Sequence, residues 1–375
     1  MKARTLIFSQ RNSFKARYRC PHYEFENTIA EIDSVDFLAP HFDVKSRRYK
    51  LATRIAFHIP DSLLSPVKNP VDVKADYDLF FMICGDPADL VMLKSVQHWR
   101  ERCKTAVCLI DELWIKGFHG FRNYLTTLKR FDAVVLYYSN TVKPLSERIE
   151  RKCVFVPPAV DAIRFCPYPL EPKRVLDVLS FGRRSEVTHQ KLLNMVEEEG
   201  LFYLYDTAAG HDTIDPSEHR SSIANVSKRA RYCIVNPALI DAPEIRGNQM
   251  EIGNRYFEGS AAGAILLGER PDSEVFAQLF DWPDCLIHLP YNSANIDRLI
   301  HELDEQPERQ ENIQRTNVTQ ALLRHDWAYR WESILQAVGL EPLPQLANRK
   351  QRLRDLATVV MESGLSDRCI PACVG

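Results

Sequence analysis

Short apolar runs alternate with longer amphipathic stretches along most of the chain. The apolar runs in the first part have the length of buried strands and lie at 5–9, 78–84, 106–110, 133–139 and 153–157. The stretches at 88–103, 121–131 and 142–152 repeat apolar residues at helical spacing. This alternation is typical of parallel βαβ units, so it predicts a Rossmann-like domain over residues 1–156.

Residues 157–173 show neither the apolar run of a buried strand nor the apolar spacing of a helix. Five prolines fall in this stretch, and because proline interrupts helices we expect an interdomain linker here. A second series of strand-like runs follows at 175–181, 202–206, 232–236, 264–268 and 285–289. These runs predict a second Rossmann-like domain over residues 174–324. From about residue 293 the chain is mostly helical, and its last amphipathic stretch is 348–363.

The length and composition agree with two globular α/β domains and a cleft between them. The chain has 375 residues, of which 45% are hydrophobic and 26% charged. No apolar run approaches the length of a transmembrane helix. The N-terminus lacks the apolar core and cleavage site of a secretory signal. We therefore expect a cytoplasmic protein with no transmembrane segment.

The charge pattern and the cysteines add little specific chemistry. The net charge is −2 and the basic residues are dispersed, so nucleic acid is not an expected partner. The ten cysteines show no metal-site spacing. For Cys369 and Cys373, incidental thiols in a reducing compartment are favoured over a redox switch.

A basic turn at 180–200 is the first candidate ligand site. A strand-like run breaks at Gly182 and is followed by a helical stretch that contains His189 and Lys191. The N-terminus of a helix, together with the charges of Arg183 and Arg184, suits a pyrophosphate. The alternative is a solvated surface turn.

A second candidate lies at 250–276. Arg255 and Glu258 stand one helical turn apart, just before small residues that begin at Gly259. A carboxylate in such a place can accept hydrogen bonds from ribose hydroxyls. The alternatives are a surface ion pair between Arg255 and Glu258 and tight packing by the small residues.

The order of these segments resembles a known family. In this chain the segments are VPPAVDAIRFCP, then FGRR with a lysine in the next helix, then RYFEGSAAGAILLGE. The C-terminal half of glycosyltransferase family 4, and of the related spore-maturation glycosyltransferases, has a similar succession of segments. The resemblance covers residues 155–270. It implies the GT-B architecture, an α/β fold in which two Rossmann-like domains with parallel sheets face a cleft. The C-terminal domain then holds the nucleotide and the N-terminal domain the acceptor.

The same resemblance implies that the chain end, residues 325–375, crosses back to the domain junction. We expect Trp327, Tyr329 and Trp331 to include packing anchors there.

The resemblance also assigns donor residues by position. Arg183 and Lys191 would neutralise the donor diphosphate, with Arg184 or His189 as substitutes, and Glu258 would bind the ribose. The full predicted donor set is Gly182, Arg183, Arg184, His189, Lys191, Arg255, Tyr256, Glu258 and Gly259.

One signature glutamate of the family has no clear counterpart. Glu251 precedes Glu258 with six residues between them instead of seven, and Met250 occupies the expected position. We leave the first glutamate unassigned.

Candidates in the N-terminal half follow strand-like runs, where parallel sheets bind ligands. Asp111 and His119 come after 106–110 and, with Arg183 and Arg184, are the predicted catalytic residues. For an acidic residue at such a place, a helix cap is the alternative. The predicted acceptor-binding residues are Gln10, Arg11, Asn12 and Asp86.

The expected activity is sugar transfer from a nucleotide sugar to an unidentified acceptor. Retention of configuration is implied by family 4. No metal or other cofactor is expected, because no Asp-x-Asp element lies near the donor residues. The alternatives are a catalytically silent nucleotide-sugar-binding protein and an NAD-dependent oxidoreductase, which the lack of a G-x-G-x-x-G motif disfavours. Peripheral contact with a membrane stays open, although 348–363 is more simply a packing helix.

Overall fold

The computed structural model describes residues 3–59, 64–207 and 212–366. The first domain is built on a parallel sheet of six strands in the order β2-β1-β4-β6-β7-β8, with β3 and β5 paired separately. The strands are β1 (Thr5–Phe8), β2 (Val35–Leu38), β3 (Val71–Asp72), β4 (Tyr77–Cys84), β5 (Val96–Gln97), β6 (Cys103–Ile110), β7 (Ala133–Leu136) and β8 (Lys152–Phe155).

Helices cover both faces of this sheet. They are α1 (Cys20–Ile32), α2 (Arg47–His58), α3 (Phe118–Thr127) and α4 (Ser139–Ile149). The predicted helix at 88–103 is wrong in its second half, because a 3-10 helix over Pro87–Ser95 is followed directly by β5. His98 then takes a left-handed φ of 56°. This turn brings Trp99 into the core, where its ring lies 4.5 Å from that of Phe80.

The second domain contains five parallel strands in the order β10-β9-β11-β12-β13. They are β9 (Leu176–Ser180), β10 (Tyr203–Tyr205), β11 (Ala230–Val235), β12 (Ile265–Gly268) and β13 (Ile287–His288). The remaining helices are α5 (Ala162–Phe165), α6 (Glu186–Glu199), α7 (Pro216–Ser227), α8 (Pro243–Arg246), α9 (Asn254–Ala261), α10 (Glu274–Leu279), α11 (Ile296–Asp304), α12 (Pro307–Arg324), α13 (Trp327–Ala337) and α14 (Pro344–Ser366). Two parallel sheets in series confirm the predicted fold class.

The first two passages of the chain between the domains run side by side. The backbone N–H of Val160 donates to the carbonyl of His325 at 3.1 Å, and the N–H of Trp327 donates to the carbonyl of Val160 at 3.2 Å. The stretch 157–173 also contains the short helix α5, which its prolines had argued against. Asp161 caps this helix by accepting from the N–H of Arg164.

Helix α13 completes the core of the first domain. The indole of Trp327 stacks on Phe25 of α1 with 4.6 Å between ring centroids, and Trp331 donates to Asp33 at 2.8 Å. Tyr329 is half-buried and packs against the core of the second domain instead, where its hydroxyl donates to the carbonyl of Leu322 at 3.2 Å. Both tryptophans are therefore part of the hydrophobic core that covers one face of the first sheet.

Helix α14 packs mainly against α12 of the second domain, where Leu353, Ala357 and Val360 are buried. Cys369 and Cys373 lie outside the described residues. Among the helices of the described ranges, none is long and apolar enough to span a bilayer.

Candidate donor site between the two domains

A cavity of about 340 Å³ lies between the domains, at the carboxyl ends of strands from both sheets. Asp111 follows β6, Gly182 follows β9 and Asn236 follows β11, and all three line the cavity. Arg17 and Tyr18 contribute from the segment after β1. Ligands of open α/β sheets bind at this edge, so the fold places the cavity where a ligand is expected.

The wall formed by the second domain is suited to an anion. Helix α9 begins there, and its N-cap residue, Gly253, gives it no side-chain cap. The cavity is lined by Gly253, Asn254 and Arg255 from this helix start, and Arg183 adds a second guanidinium. Backbone N–H groups at a helix start and positive charges beside them are features that suit a phosphate group.

A buried chain of charges lies behind this wall. Glu258 is 3% exposed, and its two carboxylate oxygens accept hydrogen bonds from Arg220 and Arg255. Arg220 also donates to Glu24 of α1 at 3.0 and 3.1 Å. Burial opposes ionisation of Glu258, but the charges of Arg255 and Arg220 outweigh it and lower its pKa. Glu258 is therefore a carboxylate at neutral pH.

Arg183 is the member of the predicted basic turn that reaches the cavity. Its guanidinium donates to Asp241 at 2.8 Å, and its side chain is 48% exposed. Gly182 beside it has a φ of 96°, which favours glycine, and its N–H donates to the carboxylate of Asp206 at 3.1 Å.

The other basic candidates lie elsewhere. Arg184 donates to Asp206 at 2.8 Å, and the Nδ1 atom of His189 lies 3.0 Å from the hydroxyl of Tyr203. Both residues line a separate space of only about 10 Å³, which is room for about one water molecule. Lys191 pairs with Asp297 at 2.7 Å and does not line the interdomain cavity.

Two further members of the predicted donor set face the protein interior. The hydroxyl of Tyr256 donates to the carbonyl of Glu269 at 2.5 Å. A Cβ atom at Gly259 would stand 2.5 Å from Cδ2 of Leu266. A larger residue at this position would therefore require Leu266 of β12 to shift, so the small residue allows close packing of α9 on β12.

Asp111 is the predicted catalytic residue of the first domain that faces the cavity. Its Oδ2 atom lies 2.7 Å from Nε2 of His22, a buried side chain of α1. Next to it, burial raises the pKa of Glu112, which also accepts a hydrogen bond from Trp114. His119 is exposed on α3 and does not line the cavity.

None of the four predicted acceptor residues lines this cavity. Gln10 is buried and accepts from Arg19 at 2.8 Å, and Arg11 pairs with Glu26 at 2.7 Å. Asn12 donates to the carbonyl of Ala39 at 2.6 Å. Asp86 caps the 3-10 helix that begins at Pro87, and burial together with the nearby charge of Asp89 raises its pKa to about 6. Asp86 therefore acts as a helix cap, which was the alternative to an acceptor-binding role.

Glu251 stands in a loop that docks on the first domain. Its neighbour Gln249 accepts from the N–H of Ile115 at 2.8 Å and donates to Thr141 and to Glu251, each at 3.1 Å. Burial raises the pKa of Glu251 to about 7. It does not line the cavity.

Several cavity residues carried no recognisable sequence signal. Arg17, Tyr18, His219 and Arg220 line the cavity, and His22 and Glu24 lie just behind it. Helix α1, which carries His22 and Glu24, has polar residues on its buried side, so its apolar period is weak. In the described part of the chain, no group of three or more His, Cys, Asp or Glu side chains is arranged to hold a metal ion.

Comparison with known proteins agrees with this architecture. Residues 203–336 match the family model Glyco_trans_1_2, described as glycosyl transferase-like. No curated protein sequence matches the chain.

Solved structures share the fold at low sequence identity. An alpha-glucosyltransferase in complex with UDP and a 13-mer DNA has a TM-score of 0.55 and 11% identity, over 90% of this chain and 100% of that chain. HepE of Anabaena in complex with UDP-glucose has a TM-score of 0.52 and 10% identity over the same shares. The trehalose-6-phosphate synthase OtsA has a TM-score of 0.54 and 8% identity, over 91% of this chain and 100% of that chain. The chain therefore has the GT-B fold of these structures, and residues 203–336 within it match a family model described as glycosyl transferase-like.

Proposed function

We propose that the protein transfers a sugar from a nucleotide-sugar donor, bound in the interdomain cavity, to an acceptor that enters from the first domain. The observation that carries this proposal is the anion-binding wall formed by Arg183, Arg255 and the uncapped start of α9. A nucleoside diphosphate is the ligand class that needs such a wall. Two of the three structures compared above are complexes with UDP or UDP-glucose, so a uridine nucleotide is the first donor to test.

Glu258 is assigned to the ribose in this proposal. Each of its oxygens accepts one hydrogen bond from an arginine, and a carboxylate oxygen has a second lone pair for a ribose hydroxyl. Arg220 and Arg255 hold the carboxylate in a fixed, ionised state. Such preorganisation avoids the cost of ordering the side chain when the donor binds.

The reaction breaks the bond between the sugar C1 and the diphosphate oxygen, and the electron pair leaves with the diphosphate. Arg183 and Arg255 stabilise the negative charge that grows there. The acceptor oxygen bonds to C1 and its proton passes to a base. Asp111 is the candidate base or sugar-binding carboxylate, since it faces the cavity from the opposite domain and is oriented by His22.

Retention of configuration and independence of metal ions belong to the same proposal, on the basis of the resemblance to family 4. The anomer of the product, read by nuclear magnetic resonance, tests the first. Turnover in the presence of a chelator tests the second.

The decisive experiment measures release of nucleoside diphosphate from a panel of nucleotide sugars, with and without simple sugar, lipid and nucleic-acid acceptors. We expect release with at least one donor, and loss of release in Asp111→Asn. A donor that binds, as judged by a raised melting temperature, but is never turned over would favour a silent binding protein. Stabilisation by NAD alone would contradict the proposal.

A further inference from the structure

Helix α2 of the first domain carries a concentrated positive charge that the proposed sugar transfer does not use. Residues 44–59 contain no acidic residue, and the nearest acidic residues in the sequence are Asp43 and Asp61. The basic residues of this stretch are Lys45, Arg47, Arg48, Lys50 and Arg54. Five positive charges in one short stretch stand out in a chain whose net charge is −2.

The helix displays most of this charge on one exposed face. Ala52 and Ala56 are buried against the core of the first domain. At 100° per residue, the opposite face is exposed. It presents Arg47, Lys50, Leu51, Arg54, Phe57 and His58.

Within the described ranges these charges have no acidic partner. Among the described residues, none of the five basic side chains of 44–59 forms an ion pair with a carboxylate, whereas exposed arginines elsewhere do so, as Arg100 does with Asp132. Arg48 donates to the carbonyl of Ser65 at 3.0 Å, which leaves its charge uncompensated. The face is therefore complementary to an anionic surface.

Exposed apolar side chains lie on this face and at the C-terminal end of the helix. Leu51, Phe57 and Ile59 are 52%, 48% and 55% exposed. Beside Phe57 lies an apolar cavity of about 390 Å³, with Lys50 and Arg54 in its lining. A nucleic acid offers phosphates but no apolar medium for such side chains, while the boundary of a bilayer offers both.

We propose that α2 docks the first domain on the surface of an anionic phospholipid bilayer. Arg47, Lys50 and Arg54 contact lipid headgroups, and Leu51, Phe57 and Ile59 enter the boundary between headgroups and acyl chains. This surface is separate from the interdomain cavity, so the inference holds whether or not the protein transfers a sugar.

The test is sedimentation of the full chain with vesicles of phosphatidylcholine alone or mixed with phosphatidylglycerol. We expect binding only to the mixed vesicles, and weaker binding as salt is raised. The triple variant Arg47→Gln, Lys50→Gln, Arg54→Gln should bind about 100-fold more weakly, since each basic residue near the surface contributes about a fivefold factor. Circular dichroism and the melting temperature show that the variant is folded.

The matched control removes three exposed charges from outside the first domain, as Lys173→Gln, Arg298→Gln, Arg352→Gln. It has the same net charge as the first variant and should bind like the unmodified protein. The double variant Leu51→Ser, Phe57→Ser should bind more weakly at every salt concentration, because the apolar contribution is not screened.

Three results would overturn the proposal: equal binding to neutral and anionic vesicles, equal losses in the two triple variants, or binding to duplex DNA without binding to the mixed vesicles. The first would replace charge recognition with unspecific adsorption. The second would show that binding depends on the overall charge of the protein and not on α2. The third would show that the exposed face of α2 binds nucleic acid.

Discussion

Arg220 and Glu24 form a buried ion pair that joins the two domains. Arg220 lies on α7 of the second domain and Glu24 on α1 of the first, and two hydrogen bonds of 3.0 and 3.1 Å connect them. Arg220 also donates to Glu258. One guanidinium therefore links the contact between the domains to the carboxylate proposed to bind the ribose.

Replacement of Arg220 by methionine should destabilise the protein by about 3–5 kcal/mol, because two buried carboxylates lose their shared partner. Urea unfolding measures the change. Arg102→Met is the matched control, since it breaks an exposed pair with Asp76, and it should alter stability little. Similar effects of the two substitutions would contradict the role of Arg220.

Glu258→Gln should weaken binding of the nucleoside diphosphate by about 1–3 kcal/mol, the range for a lost hydrogen bond to a charged group. Glutamine keeps the shape of the side chain, so it disturbs Arg220 and Arg255 less than alanine would. Calorimetry on the folded variant measures the affinity. Tyr256→Phe, whose hydroxyl contacts Glu269 away from the cavity, should bind normally; unchanged affinity in Glu258→Gln would refute the ribose assignment.

Arg183→Ala should lower kcat by about 100-fold and affect donor affinity less, because the charge on the leaving diphosphate grows in the transition state. Arg184→Ala should have a much smaller effect, since Arg184 is held by Asp206 beside a different, very small space. Steady-state kinetics separates the two. Equal losses in both variants would argue that the turn acts as a whole, and a change in KM alone would argue for positioning of the donor.

Stability should fall as the pH rises from about 5 to 7, in part because of Glu251. Burial raises its pKa to about 7, whereas the unfolded chain has a value near 4.3. The folded state thus binds a proton that the unfolded state has released, and this stabilisation is lost as the pH passes through the folded pKa.

Glu251→Gln should therefore stabilise the protein by up to about 3 kcal/mol at pH 8 and hardly at all at pH 4. Urea unfolding at several pH values tests this. Glu197→Gln removes the same charge from an exposed position on α6 and should leave the pH profile as it is. A Glu251→Gln profile parallel to that of the unmodified protein would show that another group is responsible.

The strands were predictable because buried parallel strands are continuous apolar runs. Each of the ten runs found in the sequence overlaps a strand. Strand β2 was missed since its residues Val35–Leu38 are only partly buried at the edge of the sheet. Helix α1 was missed since His22, Glu24 and Glu26 lie on its buried side, which disrupts the apolar period that reveals helices.

Residues of the candidate site could be predicted where a local sequence motif determines the backbone. They could not be predicted where side chains from the two domains meet. Arg183, Arg255 and Glu258 follow their segment patterns into the cavity. Lys191 does not, because the turn of α6 that carries it faces Asp297. Contacts between distant parts of the chain give Glu24, His22 and Arg220 their roles. The spacing of residues along the sequence cannot predict such contacts.

The position of α13 has a consequence for biosynthesis. Trp327 and Trp331 cover Phe25 and its neighbours in the first domain, yet a ribosome makes them some 300 residues after Phe25. At about 5–20 residues per second, that delay lasts at least roughly 15 seconds. During this time α1 packs on that face of the first sheet without the apolar residues of α13 that complete the core there. The order of translation therefore leaves apolar surface of the first domain in contact with water until α13 is made, although the finished molecule buries that surface.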